Sequence, residues 1–263
     1  MSKLFSAPQT LSRPRYISHR GFQPMAPANS LPSFEYAGYL RQWAIETDVH
    51  FTRDGVAVCC HNDTVDATFD GTGAIREMDW AELSRLRMNQ GSRLGCLRDE
   101  QKRMPLFVEY LCICRRFGSV PFIELKTDDV KRVMALVRRS GFTDDEIVIS
   151  AISLERVQAA RSISKNVFVH RIFAKEEELP TLSALGNAGL SWNIPDVRNC
   201  TPDKISIPHE MGLMVCLRAG DTPESVRQML ELGCDYIPSN CMHATLQQKT
   251  SYAEDPLNIT RMG

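Results

Sequence analysis

Two kinds of apolar spacing alternate along the chain. Short apolar runs fall at 15–19, 43–50, 56–61, 121–126, 146–151, 167–171, 190–194, 213–217 and 235–237. Between many of them apolar positions recur every three or four residues, at 31–41, 80–88, 106–117, 129–140, 154–162, 176–185 and 223–232. The first spacing predicts strands and the second amphipathic helices. Punctuation agrees with the periodicity: Ser30-Leu31-Pro32-Ser33 opens the first helix, Gly118 and Gly141 close two others, and Thr222-Pro223-Glu224 opens the last.

Strands alternating with helices from end to end predict a parallel sheet wrapped by helices. No G-x-G-x-x-G follows a strand and no P-loop is present, so at 263 residues a TIM-type (β/α)8 barrel fits better than an open sheet. Nine predicted strands compete for eight places. The turn Arg53-Asp54-Gly55 is too short for a parallel crossover, so 56–61 should fold back as a small hairpin insertion after the second strand. With no repeat and no linker, residues 1–263 read as a single domain.

Composition narrows the partners. The chain is 43% hydrophobic and 24% charged with a formal net charge of −1, ordinary globular material. That balance supplies no electrostatic reason to bind nucleic acid or an anionic membrane. No apolar stretch is long enough for stable membrane insertion, and the N-terminus has no signal-peptide core. Nine cysteines, an odd number with no zinc-like spacing, read as reduced and mostly buried thiols, which points to the cytoplasm. Homo-oligomerisation stays open.

In a barrel of this kind chemistry gathers where strands end. The first predicted strand runs into His19-Arg20-Gly21, the second carries Glu46 and Asp48, the hairpin strand ends in His61-Asn62-Asp63, and the next ends in Glu124-Leu125-Lys126. Period-two alternation points Glu46 and Asp48 the same way, and likewise Glu124 and Lys126. Each signal has a plain reading: a His-Arg-Gly turn, a polar turn, an ion-pair layer. Their order at successive strand ends favours chemistry. Glu46, Asp48 and Glu124 form a hard oxygen site for one divalent cation, Mg²⁺ or Ca²⁺. His19 and His61 serve as acid and base, and Arg20 and Lys126 hold an anion such as phosphate. Together these parts describe phosphodiester cleavage.

The same residues carry a resemblance. "SHRG" (18–21), "IETDVHFTRDGVAVCCHNDT" (45–64), "TFDGTG" (68–73) and "FIELK" (122–126) stand in the order of the glycerophosphodiester phosphodiesterase family. The resemblance is dense over the first half of the chain and only rhythmic over the second. It implies a metal-dependent hydrolase on a TIM-type barrel that releases sn-glycerol 3-phosphate and an alcohol from a small-molecule phosphodiester. Under it Glu46, Asp48 and Glu124 ligate the metal, His19 and His61 are the catalytic pair, and Arg20 and Lys126 contact phosphate.

Departures from the family pattern fall elsewhere. Ala28 stands where the family commonly has an acid, and "MVCLRAGDT" (214–222) and "DYIPSNCM" (235–242) replace its late tryptophan-threonine and Thr-Asp-x-Pro signatures. Arg218, near the missing aromatic, either holds a second substrate charge or is a solvated loop arginine. Trp192 either walls the pocket or packs the barrel. His50 shares the side of Asp48 unless the following turn swings it to solvent. Two other readings stand beside the hydrolase: a barrel phospholipase acting on lipid, and a phosphate-binding barrel without turnover.

Overall fold

Alternation along β2 (Ala44–Phe51) and β4 (Val120–Leu125) sorts the sheet into two faces. Ile45, Val49, Ile123 and Leu125 face outward into a continuous apolar shell shared with the helices. Ala44 and Phe122 face inward and join Ile17, Val148, Phe168, Cys216 and Tyr236 in a second cluster. The structure, a computed structural model, describes residues 3–5, 15–218 and 221–241; the single-domain expectation over 1–263 reaches beyond them.

The remaining barrel strands are β1 (Tyr16–Ser18), β5 (Val148–Ala151), β6 (Phe168–Arg171), β7 (Ala188–Trp192), β8 (Met214–Leu217) and β9 (Ile237–Ser239), while β3 (Ala57–Cys59) pairs antiparallel with β2. The eight barrel strands run parallel in the order β8-β7-β6-β5-β4-β2-β1-β9. β8 and β9 do not pair as strands, yet the Asp235 amide donates to the Val215 carbonyl at 2.8 Å and the Val215 amide to Asp235 Oδ2 at 2.7 Å. Those two bonds leave the barrel nearly closed. Packing inside it is tight enough to demand a glycine: a Cβ on Gly189 would lie 2.4 Å from the Tyr236 hydroxyl oxygen and 2.9 Å from Phe168 Cζ. Phe5 plugs the N-terminal end, its ring centroid 4.7 Å from that of Phe168 and 5.5 Å from that of Trp43.

The expected helices form as α1 (Leu31–Tyr39), α2 (Trp80–Leu83), α3 (Phe107–Phe117), α4 (Val130–Arg139), α5 (Leu154–Ile163), α6 (Leu179–Leu185) and α8 (Pro223–Glu231), and an unforeseen α7 spans Asp203–Glu210. Periodicity hides α7 because Pro208 lies inside it. Proline cannot donate to the carbonyl of Lys204 four residues back. The Trp192 indole donates there instead, at 2.6 Å.

Other boundaries shift for local reasons. The helix expected at 80–88 stops at Leu83, because the chain beyond turns so that the Met88 amide donates to the Lys102 carbonyl at 2.7 Å. The strand expected at 146–151 begins only at Val148, since Glu146 closes a 3₁₀ turn by accepting from the Thr143 amide at 2.8 Å. β7 lies earlier than expected; β9 lies later, because Asp235 is engaged with β8 before β9 begins. The insertion after β2 is also more than a hairpin. Val58, Phe69, Ile75, Leu83, Met88 and Met104 give it a core of its own.

On α7, His209 Nε2 lies 2.8 Å from Asp235 Oδ2, and that hydrogen bond raises the imidazole above its ordinary value against the opposing effect of burial. A raised histidine contributes stability that is complete below about pH 6.5 and fades as pH climbs through the raised value. His209→Gln should therefore lower Tm at pH 5.5 and leave it nearly unchanged at pH 9. The pair is partly exposed, so the loss stays under about 1 kcal/mol. Equal losses at both pH values, read by calorimetry, would remove the charge from the explanation.

Candidate active site

β1 ends at Ser18, and the chain turns sharply through residues that a strand would not tolerate. Arg20 has φ 58° and Gly21 φ 83°, both left-handed. At Gly21 a Cβ would also fall 2.4 Å from Ser33 Oγ on α1, so only glycine fits. Arg20 accepts the strain because its amide donates to Glu46 Oε2 at 2.8 Å and its carbonyl accepts from the Asn29 amide at 2.9 Å. The His-Arg-Gly turn thereby leaves His19 on the rim of the barrel mouth, with the Arg20 guanidinium 3.5 Å from Asp48.

β2 and β4 lie side by side with Asp48 opposite Glu124 and Glu46 opposite Phe122. Inward-facing alternation therefore stacks three carboxylates above Ala44 and Phe122. All are buried, and one oxygen from each lies within 4.8 Å of the others. Lys126 Nζ bonds Glu124 and sits 3.3 Å from Asp48 Oδ1. β3 brings the last member: the Cys60 amide donates to the Asp48 carbonyl at 3.1 Å, and His61 follows at the mouth. A cavity of about 340 Å³ touches His19, Arg20, Glu46, His61, Glu124 and Lys126.

Electrostatics differ sharply within the cluster. Burial, then repulsion from Asp48 and Glu124, pushes the Glu46 carboxyl well above its ordinary range. Burial and Asp48 also raise Glu124, against Lys126. Burial acts to raise Asp48 too, but Lys126, Arg20 and the hydrogen bond from Asn29 bring it below the usual carboxylate value. Burial and then the Arg20 charge push His19 down to about 4, so its imidazole is neutral at pH 7. Burial lowers His61 as well, partly offset by Asp48.

Two observations fit a divalent cation to this cluster. Glu46 Oε1 is buried with no hydrogen-bond partner. Oxygens sharing an ion at about 2.1–2.4 Å are at most about 4.2–4.8 Å apart, which the carboxylate spacing meets. Three hard oxygen donors suit Mg²⁺ and Ca²⁺ alike.

The remaining candidates divide. Arg218 is exposed and borders the same cavity, its guanidinium 5.8 Å from the Phe173 ring centroid and 3.4 Å from Asn193 Oδ1. Trp192 does not wall the pocket: on β7 Ser191 faces inward and Trp192 outward, its indole held by Lys204. His50 is buried rather than swung to solvent, with Nδ1 4.0 Å from Asp63. Apart from these candidates, His170 on β6 is buried and borders the same cavity, its Nδ1 2.6 Å from the Tyr236 hydroxyl, and Arg171 pairs with Glu178 at 2.9 Å.

Three polar residues escaped the sequence reading. Asn29, with φ 53°, donates to Asp48 Oδ2 at 2.8 Å and accepts from Thr47 Oγ1 at 2.8 Å. Asn240 places Oδ1 2.7 Å from His19 Nδ1, and Gln23 Nε2 donates to that same oxygen at 2.7 Å. Asn29 lay next to the noted Ala28, and an asparagine ahead of a helix cap was the available signal. Gln23 lies four residues beyond His19, and Asn240 sits in the 235–242 stretch noted only as a departure from the family pattern.

Known proteins resemble the chain in sequence and in fold. The model of the "Glycerophosphoryl diester phosphodiesterase family" matches residues 19–242. The chain is 34% identical over 235 residues to "Probable glycerophosphodiester phosphodiesterase 2" of Mycobacterium tuberculosis, covering 84% of this chain and 85% of that one. It is 33% identical to mouse "Glycerophosphodiester phosphodiesterase 1" over 112 residues, a match that takes in 42% of this chain and only 33% of that protein. Among solved structures, an Oleispira antarctica phosphodiesterase in complex with the product sn-glycerol-3-phosphate superposes with a TM-score of 0.78 at 23% identity, covering 92% of this chain and 97% of that one.

Proposed function

Because the chain belongs to the glycerophosphoryl diester phosphodiesterase family, we propose that it hydrolyses glycerophosphodiesters to sn-glycerol 3-phosphate and an alcohol at the barrel mouth. The observation that carries this reading is the convergence of His19, His61, Arg20, Lys126, Glu46 and Glu124 on one cavity, with Asp48 clustered against both glutamates. The product held by the Oleispira relative supports the substrate class.

A phosphodiester is an anion, and Arg20 and Lys126 flank Asp48 where they can meet its oxygens. Glu46, Asp48 and Glu124 would hold one divalent cation, Mg²⁺ or Ca²⁺, which when bound polarises a phosphoryl oxygen and offsets charge that develops there. His19 and His61 divide the proton work. One accepts the proton of the attacking hydroxyl, from water or from the substrate itself, and the other protonates the departing alkoxide. Arg20 and Lys126 also hold the phosphorus centre in place between the two imidazoles, an entropic advantage of positioning. Arg218 lies at the rim, where the alcohol portion of a bound diester would emerge.

Exposed Ile152, with Ile172 and Phe173, gives one side of the mouth an apolar lining, which favours an alcohol or glycerol carrying hydrocarbon as a second reading. The cytoplasm and a single domain over 1–263 belong to the same proposal; all nine cysteines are free thiols, six of them buried. Among the described residues no helix is long and apolar enough to cross a membrane.

The test is release of glycerol 3-phosphate from diesters with choline, ethanolamine, inositol, glycerol and long-chain acyl substituents, with Mg²⁺, Ca²⁺ or chelator. Release should require metal and should be lost on chelation and regained on adding the ion back. Turnover of none of these diesters by metal-loaded protein would overturn the proposal.

A further inference from the structure

The amide of Asn240 has donors on one side and a carboxylate on the other, and that settles which way it points. Asn240 Nδ2 lies 2.6 Å from Asp221 Oδ2, and the Asn240 backbone amide donates to Asp221 Oδ1 at 2.7 Å. Ser239 Oγ, 3.2 Å away, donates to Oδ1 as well. A carboxylate only accepts, so the Asn240 atom facing Asp221 must be the NH₂ group. Its oxygen then faces His19. Gln23 confirms the orientation independently: its Nε2 sits 2.8 Å from the His19 carbonyl oxygen and 2.7 Å from Asn240 Oδ1, so its two hydrogens are both committed to acceptors. Flipping Asn240 would set NH₂ against Gln23 NH₂ and a carbonyl oxygen against the Asp221 carboxylate.

The consequence passes to the imidazole. His19 Nδ1 lies 2.7 Å from an oxygen that cannot donate, so Nδ1 must carry the hydrogen. In the neutral ring Nε2 is then the nitrogen with the free lone pair, on the ring edge away from Asn240 Oδ1, and His19 and Asn240 both line the cavity. We propose that Asn240, oriented by Asp221, is a positioning residue that holds His19 in the Nδ1–H tautomer and commits its Nε2 to accepting the proton of the attacking hydroxyl. The bookkeeping closes: the O–H bond breaks as Nε2–H forms, the freed oxygen pair forms the bond to phosphorus, and the bond to the leaving oxygen breaks with its proton supplied by His61. Asn240 stays neutral and keeps its bond to Nδ1–H throughout. Asp221, which never touches the imidazole, decides the tautomer through an amide, and it sits ahead of α8 on a different element from His19.

This inference rests on the hydrolase reading for its chemistry but not for its geometry, and the experiment separates the two. Histidine ¹⁵N NMR on the full chain with Mg²⁺ should show His19 with a protonated Nδ1 and an unprotonated Nε2. Asp221→Asn presents NH₂ to the Asn240 NH₂, reverses the amide and should shift His19 toward the Nε2–H tautomer. It should lower kcat by about 10²-fold while KM moves less than about 3-fold, a wrong-tautomer loss milder than the removal of a buried carboxylate partner. The double variant Asn240→Asp with Asp221→Asn restores the donor and acceptor pattern in nearly the same volume and should recover the tautomer and most of kcat. A wild-type His19 protonated on Nε2, an Asp221→Asn variant with unchanged tautomer, or a double variant no better than the single one would each overturn the proposal. Wild-type protein that shows the expected tautomers but cleaves no diester would defeat the hydrolase reading and uphold the positioning.

Discussion

Glu46→Gln is expected to lower kcat/KM for a glycerophosphodiester by about 10³-fold and, in metal-free protein, to raise the melting temperature. The first effect follows from losing one of three anionic donors, since a divalent cation contributes several kcal/mol of charge stabilisation and each 1.36 kcal/mol is tenfold in rate. The second follows from the packing. Glu46 is 5% exposed, one of its oxygens has no partner, and Asp48 and Glu124 repel its charge. Glutamine keeps the acceptor that the Arg20 amide needs and removes the repulsion. A stable variant with a weakened site is the signature of residues retained for function at a cost to the fold. Calorimetry would read the stability, and titration with Mg²⁺ should show affinity reduced at least about 10-fold, the scale of loss for even an outer partner of a metal ligand. Unchanged Mg²⁺ affinity together with unchanged turnover would take Glu46 out of the site.

What was legible in the sequence was whatever strand periodicity alone dictates. Glu46, Asp48 and Glu124 are two apart on strands or paired across neighbouring ones, so alternation and register place them together without knowledge of any helix. The barrel followed from rhythm for the same reason. What depends on the closed fold was not legible. Asn240 stands 221 residues from His19, and Asp221 bonds Asn240 from ahead of α8; both fall in late stretches that the sequence marks only as departures from the family pattern, with no sign of their contact with His19. Trp192 shows the limit most clearly. Its place at a strand end is the place of a pocket residue, but one step of alternation turns it outward, and its role is to cap the carbonyl that Pro208 leaves open in a helix whose own pattern was unreadable. Residues 56–106 were underestimated because their core is assembled from turns and bridges rather than from a periodic element.

His61→Ala should leave metal binding and folding intact and reduce hydrolysis of a choline diester by about 10²–10⁴-fold, the usual worth of a positioned general acid. The ring lies at the mouth and, among the described residues, bonds its neighbour Asn62 at 2.7 Å, so its removal leaves no fully buried group unpaired. With His19 Nε2 committed to accepting, His61 is left to protonate the leaving oxygen, and that assignment has a consequence the size of the loss does not. An alkoxide such as that of choline is a poor leaving group without a proton, whereas a nitrophenolate departs as a stabilised anion. On a glycerophospho-nitrophenol substrate the same variant should therefore lose less than about 10-fold, because the step that His61 assists no longer needs assistance. His19→Ala should behave in the opposite way, with large losses on both substrates, since the attacking hydroxyl must still surrender its proton whichever group leaves. Equal losses for His61→Ala on the two substrates would mean that His61 acts before the leaving bond breaks, and the two imidazoles would have to exchange roles.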